Sequence, residues 1–209
     1  MMNVRCRGDR SFEFDPATTA LAVIDMQRDF FHDAPEMRAV VPRVAGLLDW
    51  GRRLGLTVVH TREGYEADLS DVNSYKRSLG YVGRVGPNGR FLIRGERGHD
   101  FLEGFEPRDD ELVFDKAGFS GFHGTGLGDH LSGAGITHLI LCGVTTQCCV
   151  HSTLRDAVER GYFCLTVADC CAAAQAAVHE ATLQIIQAEN HLFGWIADSS
   201  AALDVRDVS

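Results

Sequence analysis

Lysine is almost missing from this 209-residue chain: only Lys76 and Lys116 occur, beside 18 arginines. Runs of basic residues are missing too, and 29 acidic against 20 basic residues leave a formal charge of −9. A chain of that balance has no basic stripe with which to neutralise a phosphate backbone, which excludes nucleic acid as a partner. No window approaches 18 consecutive apolar residues, and the stretch from Met1 to Asp15 mixes Arg, Cys and Asp without an apolar leader. A cytoplasmic protein without membrane contact is therefore expected. Proline is scarce at five residues, which argues against fibrous or disordered classes. The seven cysteines are odd in number and follow none of the zinc spacings, so neither a disulfide framework nor a structural metal is indicated, and most should be buried thiols.

What is present is an ordinary globular composition, 45% apolar and 23% charged. A chain of this length buries roughly 70% of its unfolded surface, so its core needs no staple, and one domain spanning residues 1–209 is expected. The run Ala20-Leu-Ala-Val-Ile-Asp25 reads as a strand buried on both faces with a carboxylate at its end. Helical spacing runs from Pro35 to about Leu54, stopped by Gly55, and strands follow at Thr57–Thr61 and Glu111–Asp115. Then come a short helix from Thr125 to Ala134, a strand from Thr137 to Cys142 and a helix from Val150 to Arg160. A strand from Phe163 to Ala168, the longest helix from Ala173 to about Asn190 and a last strand from Phe193 to Ala197 complete the order. Alternation of this kind predicts an α/β fold: a three-layer α/β/α sandwich around a mostly parallel, Rossmann-like sheet of about six strands. Residues 62–110 break the pattern with weak periodicity and the turn pairs Gly86-Pro87 and Asn88-Gly89. So long a connection reads as a lid or a subunit-contact arm of a homo-oligomer, dimer or tetramer, or else as an ornamental insertion.

In open α/β sheets reactive groups gather beyond the carboxyl ends of the strands. Three places qualify: Asp25, Lys116, and the segment Gly143-Val-Thr-Thr-Gln-Cys-Cys149 ahead of a helix. A cysteine at a helix start faces unpaired N–H groups that favour a thiolate. A carboxylate can take its proton and return it to a leaving amine, and an ammonium can steady the developing charge. Lys116 stands out because this chain otherwise chooses Arg, whose planar fork cannot replace a compact ammonium. Lys76, in S-Y-K-R-S, reads as exposed. Taken singly, a strand-end Asp is a cap, a Lys is solvated and a Cys is packing. The glycine spacing at 83, 86 and 89 lacks the strand and helix of a phosphate loop, and His60 reads as a hydrogen-bonding strand residue.

The segments A-L-A-V-I-D-M-Q-R-D-F, V-F-D-K-A-G-F-S-G-F and G-V-T-T-Q-C-C-V-H-S-T-L-R-D-A resemble those of the isochorismatase-like cysteine hydrolases, nearly end to end. The resemblance implies catalytic Asp25 and Lys116, and Cys149 rather than Cys148 as the nucleophile. It also implies a thioester mechanism on an amide carbonyl, with no metal and no cofactor. A cis peptide before Thr145 is implied as well, with the N–H groups of Thr145 and Cys149 forming an oxyanion hole. Phe30 would pack on a small planar substrate.

Within that superfamily, H-T-R-E-G-Y-E-A-D-L-S-D and G-P-N-G-R-F-L-I-R-G-E-R-G look like the biuret and triuret hydrolases. The position those enzymes use for a distal carbonyl corresponds to Glu189, which accepts hydrogen bonds where a glutamine could donate. L-F-G-W-I-A-D-S and S-T-L-R-D are also similar to ureidoacrylate amidohydrolases. The first expectation is hydrolysis of a biuret- or triuret-type linear amide with release of ammonia. The alternative is another carbamoyl compound bearing a carboxylate, for which Arg62, Arg94 and Arg97 are available. A different class of function, a thiol redox sensor, would use Cys149 with Cys148 or Cys171.

Overall fold

The computed structural model describes residues 1–32 and 34–207. It opens with an antiparallel hairpin that the sequence reading lacked, β1 (Met2–Cys6) and β2 (Arg10–Phe14). Then follow β3 (Thr19–Ile24), α1 (Pro35–Arg38), α2 (Val41–Leu54) and β4 (Thr57–Glu63). The long connection carries α3 (Ser74–Leu79) and a small hairpin, β5 (Val85–Gly86) and β6 (Gly89–Arg90). The remainder is β7 (Leu112–Lys116), α4 (Leu127–Gly133), β8 (His138–Val144), α5 (His151–Glu159) and β9 (Phe163–Ala172). Last come α6 (Ala176–His191), β10 (Trp195–Ala197), α7 (Ser199–Leu203) and β11 (Arg206–Asp207).

Six strands form one parallel sheet in the order β10-β9-β8-β3-β4-β7. Strand alternation divides its side chains between two cores. Leu21 and Val23 of β3 join Val44, Leu47 and Leu48 of α2, Phe12 and Phe14 of β2, and Ala202 of α7. Ala20, Ala22 and Ile24 face the other way, into Leu131 of α4, Leu154 of α5, and Leu183 and Ile186 of α6. Helices therefore cover both faces, and the three-layer α/β/α architecture read from the sequence is the one observed. Each fully buried Leu or Ile in these layers contributes roughly 1.5–3 kcal/mol. Among the described residues, no helix is long and apolar enough to cross a membrane.

The helix expected from Pro35 to Leu54 is two helices. Pro42 lies in the first turn of α2, where its lost N–H costs nothing, and its ring clashes with any helical turn continuing from Arg38. Gly55 caps α2 in the left-handed region, φ 70°, as expected. The turn pairs at residues 86–89 close the β5/β6 hairpin, with Gly86 opposite Gly89. All seven cysteines are free; six are buried and Cys148 is half-buried.

Candidate active site

Three strands end at one place, and their register brings the polar residues together. In β4, Val59, Thr61 and Glu63 share a face by alternation, and in the ladder with β7 the partners of Thr61 and Glu63 are Phe114 and Lys116. Asp25, one residue beyond β3, would fall on the opposite face if the strand simply continued. It does not, because its backbone turns into the left-handed region at φ 51°, and its carboxylate swings back toward β4 and β7. There Thr61 Oγ1 donates to Asp25 Oδ1 at 2.7 Å and Lys116 Nζ to Oδ2 at 2.7 Å. A second Lys116 bond runs to the Gly118 carbonyl at 3.0 Å. Neither the Asp25 nor the Lys116 side chain reaches solvent.

Cys149 arrives from the neighbouring strand. After β8 the chain makes a wide π-type turn over Thr146–Val150 before α5 begins, and Cys149 is buried within it. The Val144–Thr145 peptide is cis, as the sequence resemblance implied. Gly143 makes the approach of β8 to β3 feasible: its φ is 116° and a Cβ there would stand 2.0 Å from the Ile24 carbonyl oxygen. Burial pushes the Asp25 carboxyl above its ordinary range, Lys116 opposes that shift, and Glu63 adds to it. Burial works against the Lys116 ammonium, but Asp25, Cys149 and Glu63 together raise its pKa. The Cys148 thiol and burial push Cys149 up, with Lys116 acting against them. These influences oppose the thiolate that the helix-start argument favours.

A second carboxylate, which sequence reasoning missed, completes the cluster. The Cys149 thiol donates to Glu63 Oε2 at 3.4 Å. Glu63 Oε1 accepts from Tyr65 Oη at 2.6 Å and from Lys76 Nζ at 3.0 Å. Gln27 fixes the Glu63 backbone, accepting its N–H at 2.8 Å and donating to its carbonyl at 2.9 Å. Lys76, expected to be exposed, is 3% exposed: α3 turns it inward, Tyr65 Oη is a further hydrogen-bond partner, and its ammonium lies 3.8 Å from the centre of the Phe119 ring. The polar neighbours of Lys76 in S-Y-K-R-S mask this burial in the sequence. The signal that both lysines are special was already in the composition, since a buried cation packed on a ring and a carboxylate favours the compact ammonium.

Donor atoms of Asp25, Glu63 and Cys149 lie within 4.8 Å of one another, the spacing of a metal-binding group. Each carboxylate already carries an ammonium, Lys116 or Lys76, so a cation entering there would meet two fixed positive charges. A cavity of about 310 Å³ adjoins this corner, lined by Lys76, Ala117, Gly118, Phe119, Ser120 and other residues.

The remaining sequence-derived candidates are distributed differently. Phe30 lies in a short 3₁₀ turn after Asp25, half-buried, its ring edge-on to Phe91 at 5.9 Å. Arg94 does not offer a free guanidinium: it pairs with Glu66 at 2.6 Å and Asp71 at 3.3 Å. Arg62 likewise holds Asp115 through two bonds of 2.7 and 2.9 Å, whereas Arg97 is exposed. Glu189 is exposed and lies at the opposite end of the sheet from Cys149. Helix α6 runs back from the carboxyl end of β9 and feeds β10, whose first residue Trp195 pairs with Leu165 near the start of β9. The sequence pattern showed Glu189 to be near the end of a long helix but not which end of the sheet that helix end reaches. His60 is a hydrogen-bonding strand residue, bound to Glu111 at 2.9 Å.

Residues 19–201 match the family model described as the isochorismatase domain. A ureidoacrylate amidohydrolase, RutB of Methylorubrum extorquens, is 30% identical over 207 residues, covering 90% of this chain and 82% of the relative. A cysteine hydrolase from Pseudomonas syringae pv. phaseolicola 1448A superposes with a TM-score of 0.83 at 25% identity, covering 92% of this chain and 93% of that one. The N-carbamoylsarcosine amidase of Thermoplasma acidophilum gives a TM-score of 0.72 at 25% identity, with coverages of 87% and 96%.

Proposed function

This chain belongs to the isochorismatase domain family, and from that membership we propose that it is a cysteine-dependent amidohydrolase cleaving a C–N bond of a small N-carbamoyl compound, a ureido acid of the ureidoacrylate type. The observation that carries the reading is the buried meeting of Cys149 with Asp25 and Lys116 at the carboxyl ends of β3, β7 and β8. The choice of substrate class is supported by similarity to a ureidoacrylate amidohydrolase and to an N-carbamoylsarcosine amidase, in place of the biuret-type substrate expected from sequence.

In this mechanism the Cys149 thiol turns from Glu63 to Asp25, whose carboxylate lies within 4.8 Å, and Asp25 takes its proton as sulfur attacks the carbamoyl carbon. A carboxyl raised by burial is suited to hold that proton, and Lys116 keeps the resulting charges compensated. Backbone N–H groups of Thr145 and Cys149 stabilise the oxyanion. Asp25 returns the proton to the departing amine, leaving S-carbamoyl-Cys149. Water, deprotonated by Asp25, then releases carbamate and regenerates the thiol, and carbamate decomposes to ammonia and carbon dioxide. Phe30, in the turn that follows Asp25, is the platform for the planar part of the substrate in this reading.

The test is ammonia release from a panel holding ureidoacrylate, 3-ureidopropionate, N-carbamoylsarcosine, biuret, triuret and nicotinamide. Turnover should be fastest on a ureido acid. Higher kcat/KM on biuret or triuret would restore the linear-amide substrate, and no turnover of any carbamoyl compound would overturn the proposal.

A further inference from the structure

The two carboxylates that flank Cys149 differ in what their oxygens have left to give. Each Asp25 oxygen has a donor that stays when the thiol proton has gone, the Thr61 hydroxyl on one and Lys116 on the other. On Glu63, Oε1 accepts from Tyr65 and Lys76, while Oε2 accepts from the Cys149 thiol. When that thiol loses its proton to attack, Oε2 loses its donor. A buried carboxylate oxygen without a donor is unfavourable, so a substrate that brings an N–H to this point is preferred.

We propose that Glu63 is a specificity-determining residue, whose Oε2 accepts a hydrogen bond from the uncharged –NH₂ of the substrate's carbamoyl group, and that Lys76 positions it. The inference rests on the carbamoyl-hydrolase reading above and deepens it. Attack brings sulfur within roughly 3–3.5 Å of the carbonyl carbon, and the amide nitrogen is about 1.33 Å from that carbon. An oxygen 3.4 Å from Sγ is then within reach of that nitrogen. An ester or carboxylate presents lone pairs at the same point and meets the carboxylate unfavourably. Orientation comes from both sides. Gln27 clamps the Glu63 backbone, and the insertion delivers Lys76 from α3, whose start is capped by Asn73 accepting the Lys76 N–H at 2.9 Å. The long connection thereby contributes to recognition at the sheet end.

The probes are iodoacetamide and iodoacetate, nearly isosteric alkylating agents that differ by –NH₂ against –O⁻, with the rate at Cys149 read by peptide mass spectrometry. Wild-type protein should favour iodoacetamide, and Glu63→Gln should reduce the iodoacetamide-to-iodoacetate rate ratio by about tenfold or more, a charge-assisted hydrogen bond having been replaced. Because Glu63→Gln leaves Lys76 buried without its charged partner, the double variant Glu63→Gln/Lys76→Met removes both charges and should show the same reduction. A smaller change in whichever variant folds overturns the inference, since a thiol perturbed in general would react more slowly with both probes alike. The ratio needs no turnover. Failure of the wild-type protein on every carbamoyl substrate would therefore sink the proposed function, while the ratio still decides the role of Glu63.

Discussion

Glu63 and Lys116 are partners in the β4/β7 ladder, yet each takes its counter-ion from elsewhere, Glu63 from Lys76 and Lys116 from Asp25. Two carboxylate–ammonium pairs therefore stand around one thiol. The two lysines of the chain are both consumed there, which turns a compositional oddity into a feature of the site.

Substituting either lysine by arginine separates the two pairs. Lys116→Arg keeps the charge but puts a wide fork where Asp25 and Gly118 bind one compact ammonium, and kcat should fall by at least about 10²-fold, equivalent to about 2.7 kcal/mol. Lys76→Arg must also fit beneath Phe119, so it should lose on the order of 1–3 kcal/mol of stability and measurable activity. Chemical denaturation and steady-state kinetics check both. An unchanged Lys76→Arg protein would return that residue to the solvated role first expected for it.

The adjacent cysteines should behave unequally. Cys149→Ser preserves volume in a fully enclosed position but supplies a hydroxyl that the site cannot ionise, so turnover should vanish while the fold and its unfolding midpoint stay near wild type. Cys148→Ala, at a half-buried position, should reduce kcat by less than about tenfold. A dead Cys148→Ala together with an active Cys149→Ser would move the nucleophile by one residue.

Much of this geometry was legible in the chain, and the rest was hidden for identifiable reasons. The order of strands and helices followed from apolar runs and from stops such as Gly55, and Asp25, Lys116 and the Cys149 segment followed from the rule that ligands gather at strand ends. Glu63 escaped because the β4 pattern was ended at Thr61, two residues early. Lys76 escaped because burial within an insertion has no periodic signature. The N-terminal hairpin was hidden by its brevity and by its charged outward positions, Arg5 and Glu13, which alternate with Val4, Cys6, Phe12 and Phe14.

Gly143 carries a steric demand that can be isolated from the chemistry. Alanine there would combine an unfavourable φ with a contact on the Ile24 carbonyl, so Gly143→Ala should lose about 3 kcal/mol or more by urea unfolding. Gly55→Ala, with the same kind of φ but nothing within 4 Å, should lose only about 1 kcal/mol. Equal losses at the two positions would show that the contact with β3 is unimportant.

Away from the site, Glu111 gives the fold an acid-side dependence. Burial opposes its ionisation, but Arg52, the Arg108 N–H and His60 win and bring its carboxyl from 4.5 to about 2. Its folded value is the lower one, so its stabilisation is full above the unfolded value and is lost as pH falls through the range from 4.5 toward 2. Glu111→Gln should cost on the order of 2 kcal/mol at pH 7 and flatten the decline of urea stability below pH 4.5. A wild-type slope that persists in the variant would assign acid sensitivity to other groups.

The identity of the covalent intermediate decides the mechanism. Wild-type protein mixed with a ureido acid, quenched in acid within the first turnovers and mapped by peptide mass spectrometry, should carry one carbamoyl group on the peptide holding Cys149, with fragmentation placing it on that sulfur. It should be absent from Cys149→Ser and should disappear once substrate is exhausted. Rapid ammonia release with no adduct on Cys149, or an adduct on Cys148 instead, would contradict the assignment of nucleophile and mechanism.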